Sequence, residues 1–522
     1  MNRQLLLFVI SLGILLRLIV YLQQHSLWTD EVYLSNSIVH YNWSDIFSKP
    51  LLYYQKAPLG FLALQKLMVS IFPANELSLR FVSLSVSILT IFLLVPVFTY
   101  FLNGRLVALA LALFALSPPL IHHACEAKQY ATELFAATAA LWLYIWLKNN
   151  PSVKSQLGAA IAGSLLVWCS YSVIFILAAV SAGLLLQQLR VKNLRRMFFY
   201  GVPVIFWLCS FLLNFYFFTR HHAKSEWTVY WFDYYNHFAP LPPQNIDELT
   251  WYPLRFYRLL NYPLGLLWNF MYGGGSAWAP VLKMAPVLLG FMVLGVAAFW
   301  KRKTDLIVLM AAVALTLLAS GLKLYPLTER FWVFLSTIFL ILIVRGCAFS
   351  IEKMPGLRIA VPCFLLVGAT VNLLLLFTPV QDPVKEKRSA QRQVLEYIER
   401  EQRSGDQVYI YWNDLPGYRL YRKLYPFTFS AREGKDYRKT SVGFNDYMQQ
   451  LEADMNAKPT QRVWMVVNVQ FQSDIGEPVD WPEWYFKGQE KPTDRVIKEL
   501  SKKMKVVQKY KMFDMEAYCF SH

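Results

Sequence analysis

The sequence predicts a mainly α-helical, polytopic membrane protein with about eleven spans and a small extracytoplasmic α/β domain at its C-terminus. Of the 522 residues, 56% are hydrophobic and 16% are charged, whereas a soluble domain carries about 25% charged residues. The apolar residues are concentrated in runs long enough to cross a bilayer, which takes about 20 residues. From residue 385 onward the chain becomes charged and soluble in character.

The apolar runs define the predicted spans. They cover residues 4–22, 77–101, 106–121, 131–147, 157–170, 173–189, 197–219, 284–300, 305–322, 331–344 and 359–378. The stretch 157–189 is compatible with one long helix or with two short helices that meet near Tyr171. Two helices place the basic residues of the short loops on one side of the membrane, as the positive-inside rule requires. The N-terminus is therefore expected in the cytoplasm. The basic residues on that side are Arg3, Arg105, Lys148, Lys154, Arg190, Lys192, Arg195, Arg196, Lys301, Arg302, Lys303, Arg345, Lys353 and Arg358.

The net charge of +17 comes from 51 Lys and Arg against 34 Asp and Glu. Much of this charge lies in short loops between apolar runs, which indicates membrane orientation and argues against a nucleic-acid partner. The six cysteines are scattered and mostly within spans, so they suggest neither disulfides nor a metal site. The first apolar run lacks a small-residue cleavage site, and we interpret it as a span and not as a removed signal.

The spans divide the chain into two predicted domains. Residues 1–380 form the transmembrane domain, with the loops 23–76, 122–130, 220–283 and 323–330 outside. Residues 381–522 form a soluble extracytoplasmic domain, with predicted helices at 391–403 and 418–424 and predicted strands at 407–412, 462–469 and 506–518.

Charged residues mark the outer face of the predicted bundle. Asp30 and Glu31 follow the first span directly, and two acids there indicate either a general base or an ordinary solvated loop. Lys56 lies in an aromatic, apolar segment, where a lysine either snorkels to lipid headgroups or binds a phosphate. Arg330 begins a span on the outer side, where basic residues are less expected, and its fork suits a lipid phosphate.

Other polar residues have simpler interpretations. Arg17 lies inside the first span, where a charge is expected to be buried in protein and either functional or paired. Glu76 and Arg80 are four residues apart, which predicts an ion pair within one helix. All eight histidines fall outside the spans, which avoidance of lipid explains; a metal site involving His122 and His123 is the minority interpretation. The aromatic loop 220–283 indicates an interfacial belt or a sugar-binding surface.

Several motifs, in this order and on one side of the membrane, resemble family 39 glycosyltransferases. That family includes protein O-mannosyltransferases and the bacterial aminoarabinose transferases of lipid A. The resemblance covers roughly residues 5–190 well and 320–345 moderately. Lys128 is a departure, because many relatives have arginine there. The motifs are Leu16-Arg17-Leu18, Asp30-Glu31, Lys56-Ala57-Pro58-Leu59, Glu76-Leu77-Ser78-Leu79-Arg80-Phe81, Leu116-Ser117-Pro118, Glu126-Ala127-Lys128-Gln129-Tyr130 and Tyr325-Pro326 with Arg330.

The resemblance implies a helical bundle of the GT-C type in the inner (plasma) membrane, with its active site on the extracytoplasmic face. It implies transfer of a sugar, with inversion, from a polyprenyl-phosphate carrier to an extracytoplasmic lipid, protein or glycan. Membrane lipids are the remaining expected partners. The leaving group is already a phosphate, so the reaction needs one base and positive charge around the phosphate, and no general acid.

The resemblance also assigns roles to residues. The catalytic residues are Asp30 as base, with Glu31 and Glu126; the donor-phosphate ligands are Lys56, Arg330, Tyr325 and Lys128; the residues that orient the acceptor are Tyr130 and Tyr54. No metal ligand and no cofactor are assigned, although a divalent cation is compatible with the family.

Proteins of two other classes also have many membrane spans, and both classes are alternative predictions. One is a transporter or flippase of lipid-linked sugars, and the other is a non-catalytic protein of envelope assembly. Transporters place charges near the midplane and show internal repeats. Here the charged residues cluster at one face and the sequence shows no repeat, which favours the enzyme.

Overall fold

The computed structural model describes residues 3–220, 226–271, 278–376, 388–456 and 461–521. A large helical part comes first, and a five-stranded mixed sheet with flanking helices follows. The expected domain boundary at residue 381 lies outside the described residues. The helices before it are α1 (Arg3–Leu22), α2 (Thr29–His40), α3 (Trp43–Ser48), α4 (Leu59–Ile71), α5 (Glu76–Phe101), α6 (Arg105–Leu116), α7 (Pro118–Ala124), α8 (Tyr130–Asn149), α9 (Val153–Cys169), α10 (Val173–Arg190), α11 (Leu194–Asn214), α12 (Glu226–Tyr234), α13 (Ile246–Asn261), α14 (Ala279–Leu282), α15 (Ala285–Ala298), α16 (Lys303–Gly321), α17 (Ser336–Lys353) and α18 (Ala360–Leu376).

The protein is a multi-pass integral membrane protein. Among the described residues, eight helices are long and apolar enough to cross a membrane, and α6 with α7, bent by 64°, makes a ninth when the two count together. Each of the eleven apolar runs expected from the sequence is helical. Two of them, α9 and α15, are shorter, with 17 and 14 residues. The expected count of eleven is therefore reached only if these two short helices also span.

The stretch around Tyr171 forms two helices, as the charge pattern predicts. Helix α9 ends at Cys169 and α10 begins at Val173. Ser170 between them is extended, with ψ 130°, and its hydroxyl accepts the N–H of Val173 at 3.1 Å. A side-chain oxygen thus satisfies one of the backbone donors that a helix start leaves open.

Arg17 is fully buried between the first helices of the bundle. Its Nε donates to the Ser87 hydroxyl at 2.8 Å and one Nη donates to the Gly13 carbonyl at 3.0 Å. Its guanidinium also lies over the Phe114 ring, 5.0 Å from the centroid. These contacts join α1 to α5 and α6, so the charge inside the first span is enclosed in protein, as expected for a charge at that depth.

The C-terminal part is built on a sheet with strand order β2–β1–β3–β5–β4. Strand β1 pairs in parallel with β2 and β3, and β5 is antiparallel to both β3 and β4. The strands are β1 (Gln407–Ile410), β2 (Ala431–Glu433), β3 (Val463–Asn468), β4 (Lys505–Lys511) and β5 (Met515–Ser521), and the helices are α19 (Gln391–Glu401), α20 (Leu415–Leu424), α21 (Phe444–Met455), α22 (Glu483–Phe486) and α23 (Pro492–Lys503).

One expected element of this part is wrong. The run 506–518 is not a single strand but the hairpin β4–β5, closed by a hydrogen bond from the Met512 N–H to the Met515 carbonyl at 2.9 Å. Of the intervening residues, Met512-Phe513-Asp514, only Asp514 is typical of turns, so the turn signal is weak.

The C-terminal part packs on the segment between α1 and α5, which the sequence predicts to lie outside. The Leu27 N–H donates to the Tyr421 hydroxyl at 2.8 Å, and the Asn36 side chain donates to the Pro416 carbonyl at 3.0 Å. Arg392 reaches the start of α5, where it donates to the Glu76 carboxylate at 2.9 Å. The hydroxyls of Tyr421 and Tyr425 donate to the same carboxylate.

The expected helical ion pair between Glu76 and Arg80 is also wrong. Arg80 pairs with Glu31 of the outer loop, and Glu76 pairs with Arg392 of the C-terminal part. A pair four residues apart on a helix contributes only about 0.2–0.5 kcal/mol. A buried carboxylate needs much fuller neutralisation, and side chains from other elements provide it here.

We expect Glu76→Ala to loosen the C-terminal part and to lower the free energy of unfolding by about 1–3 kcal/mol, because it removes the buried carboxylate that Arg392, Tyr421 and Tyr425 share. The measurement is thermal unfolding of the detergent-solubilised protein, with limited proteolysis of the C-terminal part. Glu396→Ala is the matched control, since that half-exposed carboxylate lies 3.6 Å from the same Arg392 and such pairs contribute about 0–1 kcal/mol. Equal effects of the two changes would contradict this role of Glu76.

Candidate active site

The first turn of α2 brings two acids to the end of the bundle that contacts the C-terminal part. The helix begins at Thr29, so Asp30 and Glu31 occupy its first turn. Carboxylates are stabilised there by the helix dipole and by unpaired backbone N–H groups. Glu31 accepts the N–H of Trp28, the residue before the helix, at 3.1 Å. The chain therefore leaves α1 and re-enters a helix with both acids in fixed positions.

Glu31 is enclosed, with 1% of its surface exposed. The Arg80 fork donates to both carboxylate oxygens, at 2.8 and 2.6 Å. The Ala127 N–H donates to the same carboxylate at 2.7 Å. Glu31 thus ties α2 to α5 and to the loop before α8, and its surroundings suit a structural anchor better than a base that must meet a substrate.

Asp30 is the more accessible of the two acids. It forms an ion pair with Arg330, in which the guanidinium donates to the Asp30 carboxylate. The side chains of Asp30 and Arg330 are 22% and 21% exposed. Arg330 lies in the short helix Glu329–Leu335 that leads into α17. A carboxylate and a cation that are 300 positions apart in sequence thus meet at this end of the bundle.

Glu126 anchors a chain of buried hydrogen bonds. The Trp28 indole donates to one carboxylate oxygen at 3.0 Å, and His123 Nδ1 donates to the other at 2.6 Å. With Nδ1 protonated, the neutral ring accepts from the Tyr262 hydroxyl through Nε2, at 2.7 Å. Burial raises the pKa of Tyr262 well above 10, so this hydroxyl stays protonated. Glu126 therefore links Trp28, the residue before α2, to His123 of α7 and, through His123, to Tyr262.

Lys128 is a buried cation beside this group. Its ammonium donates to the Gln55 side-chain oxygen at 2.6 Å. Burial lowers the pKa of Lys128, and the charges of Asp30 and Arg330 act on it in opposite directions. Lys128 is thus close enough to the Asp30–Arg330 pair to interact with both members.

Two tyrosines pack around the same end of the bundle. Tyr130 is buried at the start of α8, and its ring lies 4.9 Å from that of His123 and 6.0 Å from that of Phe331. The Tyr325 hydroxyl donates to the Phe331 carbonyl at 3.2 Å, and burial raises the pKa of Tyr325 well above 10. Both tyrosines thus contact Phe331, the residue that follows Arg330.

Lys56 and Tyr54 face other surroundings. Lys56 lines a narrow cavity of about 20 Å³ together with Tyr171, Asn214 and Phe218, and among the described residues Arg330 does not line it. Burial lowers the pKa of Lys56. Tyr54 is 57% exposed, and its ring lies 6.0 Å from that of Trp227 in α12. The structure thus brings Asp30, Arg330 and Lys128 together, and it gives Lys56 a cavity of its own.

One group of acids has the spacing of a cation site. Oxygen atoms of Asp436, Asp474 and Glu477 lie within 4.8 Å of one another in the C-terminal part. Arg438 already pairs with Asp436 at 2.7 Å and with Glu477 at 2.9 Å. A bound metal would compete with this arginine, so we assign no metal to the group.

Sequence reasoning missed three partners that complete the site. The sequence pairs Arg80 with Glu76 and not with Glu31, and it gives neither Gln55 nor Tyr262 a specific role. The contact of His123 with Glu126 could be predicted from the sequence. His123 stands three residues before Glu126, a spacing that puts the two side chains on one side of a helical turn. No comparable signal identifies Gln55 or Tyr262, whose roles depend on contacts across the bundle.

Comparison with known proteins gives a structural likeness only. No protein-family model and no curated protein sequence matches the chain. The solved structure of ArnT from Cupriavidus metallidurans in the apo state aligns with a TM-score of 0.51 and 12% identity, over 98% of this chain and 97% of that chain. The structure of the same protein bound to undecaprenyl phosphate aligns equally well, over 99% and 98%. The fold is GT-C-like. An oligosaccharyltransferase from Archaeoglobus fulgidus, tethered with an acceptor peptide, aligns with a TM-score of 0.46 and 13% identity, over 90% of this chain and 70% of that chain.

We expect Glu31→Gln to lower the free energy of unfolding by about 3–5 kcal/mol, because the amide removes the charge that the buried Arg80 needs. Asp30→Asn should cost much less stability, since its pair is partly exposed. Thermal unfolding of both purified variants in detergent tests this difference. An unfolding temperature of Glu31→Gln equal to that of the wild type would contradict the structural role and return Glu31 to the catalytic candidates.

Proposed function

We propose that this protein is an integral-membrane glycosyltransferase that moves a sugar from a polyprenyl-phosphate carrier to an extracytoplasmic acceptor, with inversion. The observation that carries the proposal is the Asp30–Arg330 pair at one end of a GT-C-like bundle, because it combines an accessible carboxylate with a phosphate-binding fork. The positive-inside rule supports an outer location for this end. The structure of ArnT bound to undecaprenyl phosphate supports a lipid-phosphate ligand for such a fold.

The proposed reaction is a single displacement. An acceptor hydroxyl attacks the anomeric carbon, the bond from that carbon to the phosphate oxygen breaks, and its electron pair leaves with the polyprenyl phosphate. The hydroxyl proton passes to the Asp30 carboxylate, which acts as general base. Positive charge near the phosphate stabilises the negative charge that grows on the leaving group.

We assign the donor phosphate to Arg330 and Lys128, with Tyr325 as the residue that orients Arg330. The role of Lys56 at the same phosphate stays a prediction, because Lys56 lines a separate cavity. Arg330 offers a planar fork that can hold two phosphate oxygens. Lys128 adds a point charge that interacts with both Asp30 and Arg330. Glu126 and Tyr130 position this group from behind, and we assign the exposed Tyr54 to the acceptor side.

We expect Asp30→Asn to abolish transfer and to leave donor binding largely intact. The change is nearly isosteric and removes the base, and loss of general-base catalysis costs roughly 10²–10⁴-fold in rate. The measurement is sugar transfer from a labelled polyprenyl-phosphate donor in detergent or nanodiscs, with donor binding determined on the same preparation. Asp233→Asn is the matched control, because Asp233 forms an exposed ion pair with Lys323 at 2.9 Å. Near-normal turnover in Asp30→Asn would exclude Asp30 as the base.

We expect the affinity for undecaprenyl phosphate to fall at alkaline pH, at a pH lower than the pKa of an ordinary solvent-exposed lysine. Burial lowers the pKa of Lys128 below 10.5, so its ammonium is present at low pH and is lost as pH rises through that lowered value. Each charged hydrogen bond contributes about 1.5–3 kcal/mol, and its loss should weaken binding accordingly.

Four variants separate the cations in this binding assay. Lys128→Arg should move the alkaline loss to higher pH, because a guanidinium stays protonated. Arg330→Gln should weaken binding at every pH, and Lys56→Gln tests whether the separate cavity of Lys56 contributes. If Lys128→Gln binds undecaprenyl phosphate as tightly as the wild type at neutral pH, Lys128 is not a donor ligand.

A further inference from the structure

A second, larger cavity lies where the first outer loop meets the C-terminal part. It has a volume of about 490 Å³, within the range of about 300–1,000 Å³ that is usual for small-molecule sites. Tyr33 and Tyr53 of the outer loop form one wall, and residues of the C-terminal part, among them Trp412 and Arg419, form the other. The cavity is therefore made jointly by two segments that are far apart in sequence.

The loop wall depends on an unusual backbone. Tyr53 and Tyr54 are consecutive residues with positive φ, at 55° and 50°, a conformation that bulky residues rarely adopt. The result is that the two rings diverge. The Tyr53 ring packs 5.1 Å from that of Tyr33 at the cavity, whereas the Tyr54 ring packs against Trp227. Strained backbone of this kind clusters at binding and catalytic sites.

The lining chemistry combines aromatic rings with polar groups of both signs. The cations are Arg419 and Lys435, and the acids are Glu433, Asp436 and Asp474. The Arg419 guanidinium donates to Glu433 at 2.6 and 2.9 Å, so part of this charge is neutralised within the wall. The slight excess of carboxylates disfavours a phosphate or another anion. Aromatic faces with many hydrogen-bonding groups suit a ligand that has both apolar C–H faces and hydroxyls.

Helix α2 connects this cavity to the proposed base. Tyr33 lies three residues after Asp30, close to one turn along the same helix. Burial raises the pKa of the Tyr33 hydroxyl well above 10, and both Asp474 of the cavity and Asp30 add to the shift. The Tyr33 side chain is thus within electrostatic reach of both the cavity and the base, and a ligand in the cavity would lie beside the Asp30 end of α2.

We propose that the cavity binds an uncharged, hydroxyl-rich glycan portion of the acceptor and presents one of its hydroxyls toward Asp30. This assignment rests on the proposed function and names the acceptor class: a glycan, or the glycan portion of a larger acceptor, recognised without contacts to phosphate. The donor would approach from the Arg330 side, so the two substrates would meet at the first turn of α2.

The test measures glycan binding in the absence of donor. The full-length protein in detergent is applied to an array of immobilised neutral oligosaccharides and their phosphorylated counterparts. The wild type should bind neutral glycans, and Tyr53→Ala should weaken this binding roughly tenfold through the loss of ring contacts. Tyr53→Phe keeps the ring and should bind like the wild type. Phe513→Ala, which removes an exposed ring outside the cavity lining, is the control.

Three results would overturn the inference: binding of phosphorylated glycans only, no binding of neutral glycans, or neutral-glycan binding that Tyr53→Ala leaves unchanged. Thermal unfolding of each variant shows that a loss of binding is not a loss of fold. Binding of undecaprenyl phosphate by the same preparations separates the two proposals. Protein that binds undecaprenyl phosphate and no neutral glycan overturns the cavity inference alone, whereas protein that binds neutral glycans and no undecaprenyl phosphate overturns the proposed function.

Discussion

The ion pair between Glu31 and Arg80 is the interaction on which the candidate active site depends. It joins the first turn of α2 to a membrane-spanning helix, and the Ala127 N–H adds the loop before α8 to the same carboxylate. Because a helix is rigid over one turn, fixing Glu31 also fixes Asp30 on one side and Tyr33 two residues later. The position of the proposed base and the position of a cavity wall are therefore consequences of one buried pair.

Burial separates the charges at this end into two groups with different chemistry. Glu31 and Glu126 are buried and saturated with hydrogen bonds from neighbouring elements. Such groups contribute geometry, because moving them would leave a buried charge without compensation. Asp30 and Arg330 are partly exposed and form a pair with each other, so each can exchange its partner at lower cost. The buried acids thus hold the accessible pair in a fixed direction.

The sequence predicts the membrane architecture well because hydropathy and loop charge are local properties. The break around Tyr171 followed from basic residues on one side of the membrane, and Ser170 provides the local reason for it. The partners in the site are harder to predict. Arg80 has an acid four residues away, yet it pairs with Glu31, because tertiary burial outweighs a weak helical pair. The cavity beside Tyr53 depends on left-handed backbone and on contacts with the C-terminal part. No local sequence pattern predicts either of these features.

The pairing of Asp30 with Arg330 would set the order of the proposed reaction. A carboxylate that accepts a hydrogen bond from a guanidinium is a weaker base than one without such a donor, because the ionised form is stabilised. A donor phosphate competes for the same guanidinium, since a fork binds phosphate and carboxylate oxygens alike. Binding of the donor would then weaken the hold of Arg330 on Asp30 and raise the basicity of that carboxylate. The acceptor hydroxyl would meet an active base only when a sugar donor is already in place, which couples deprotonation to the presence of the leaving group.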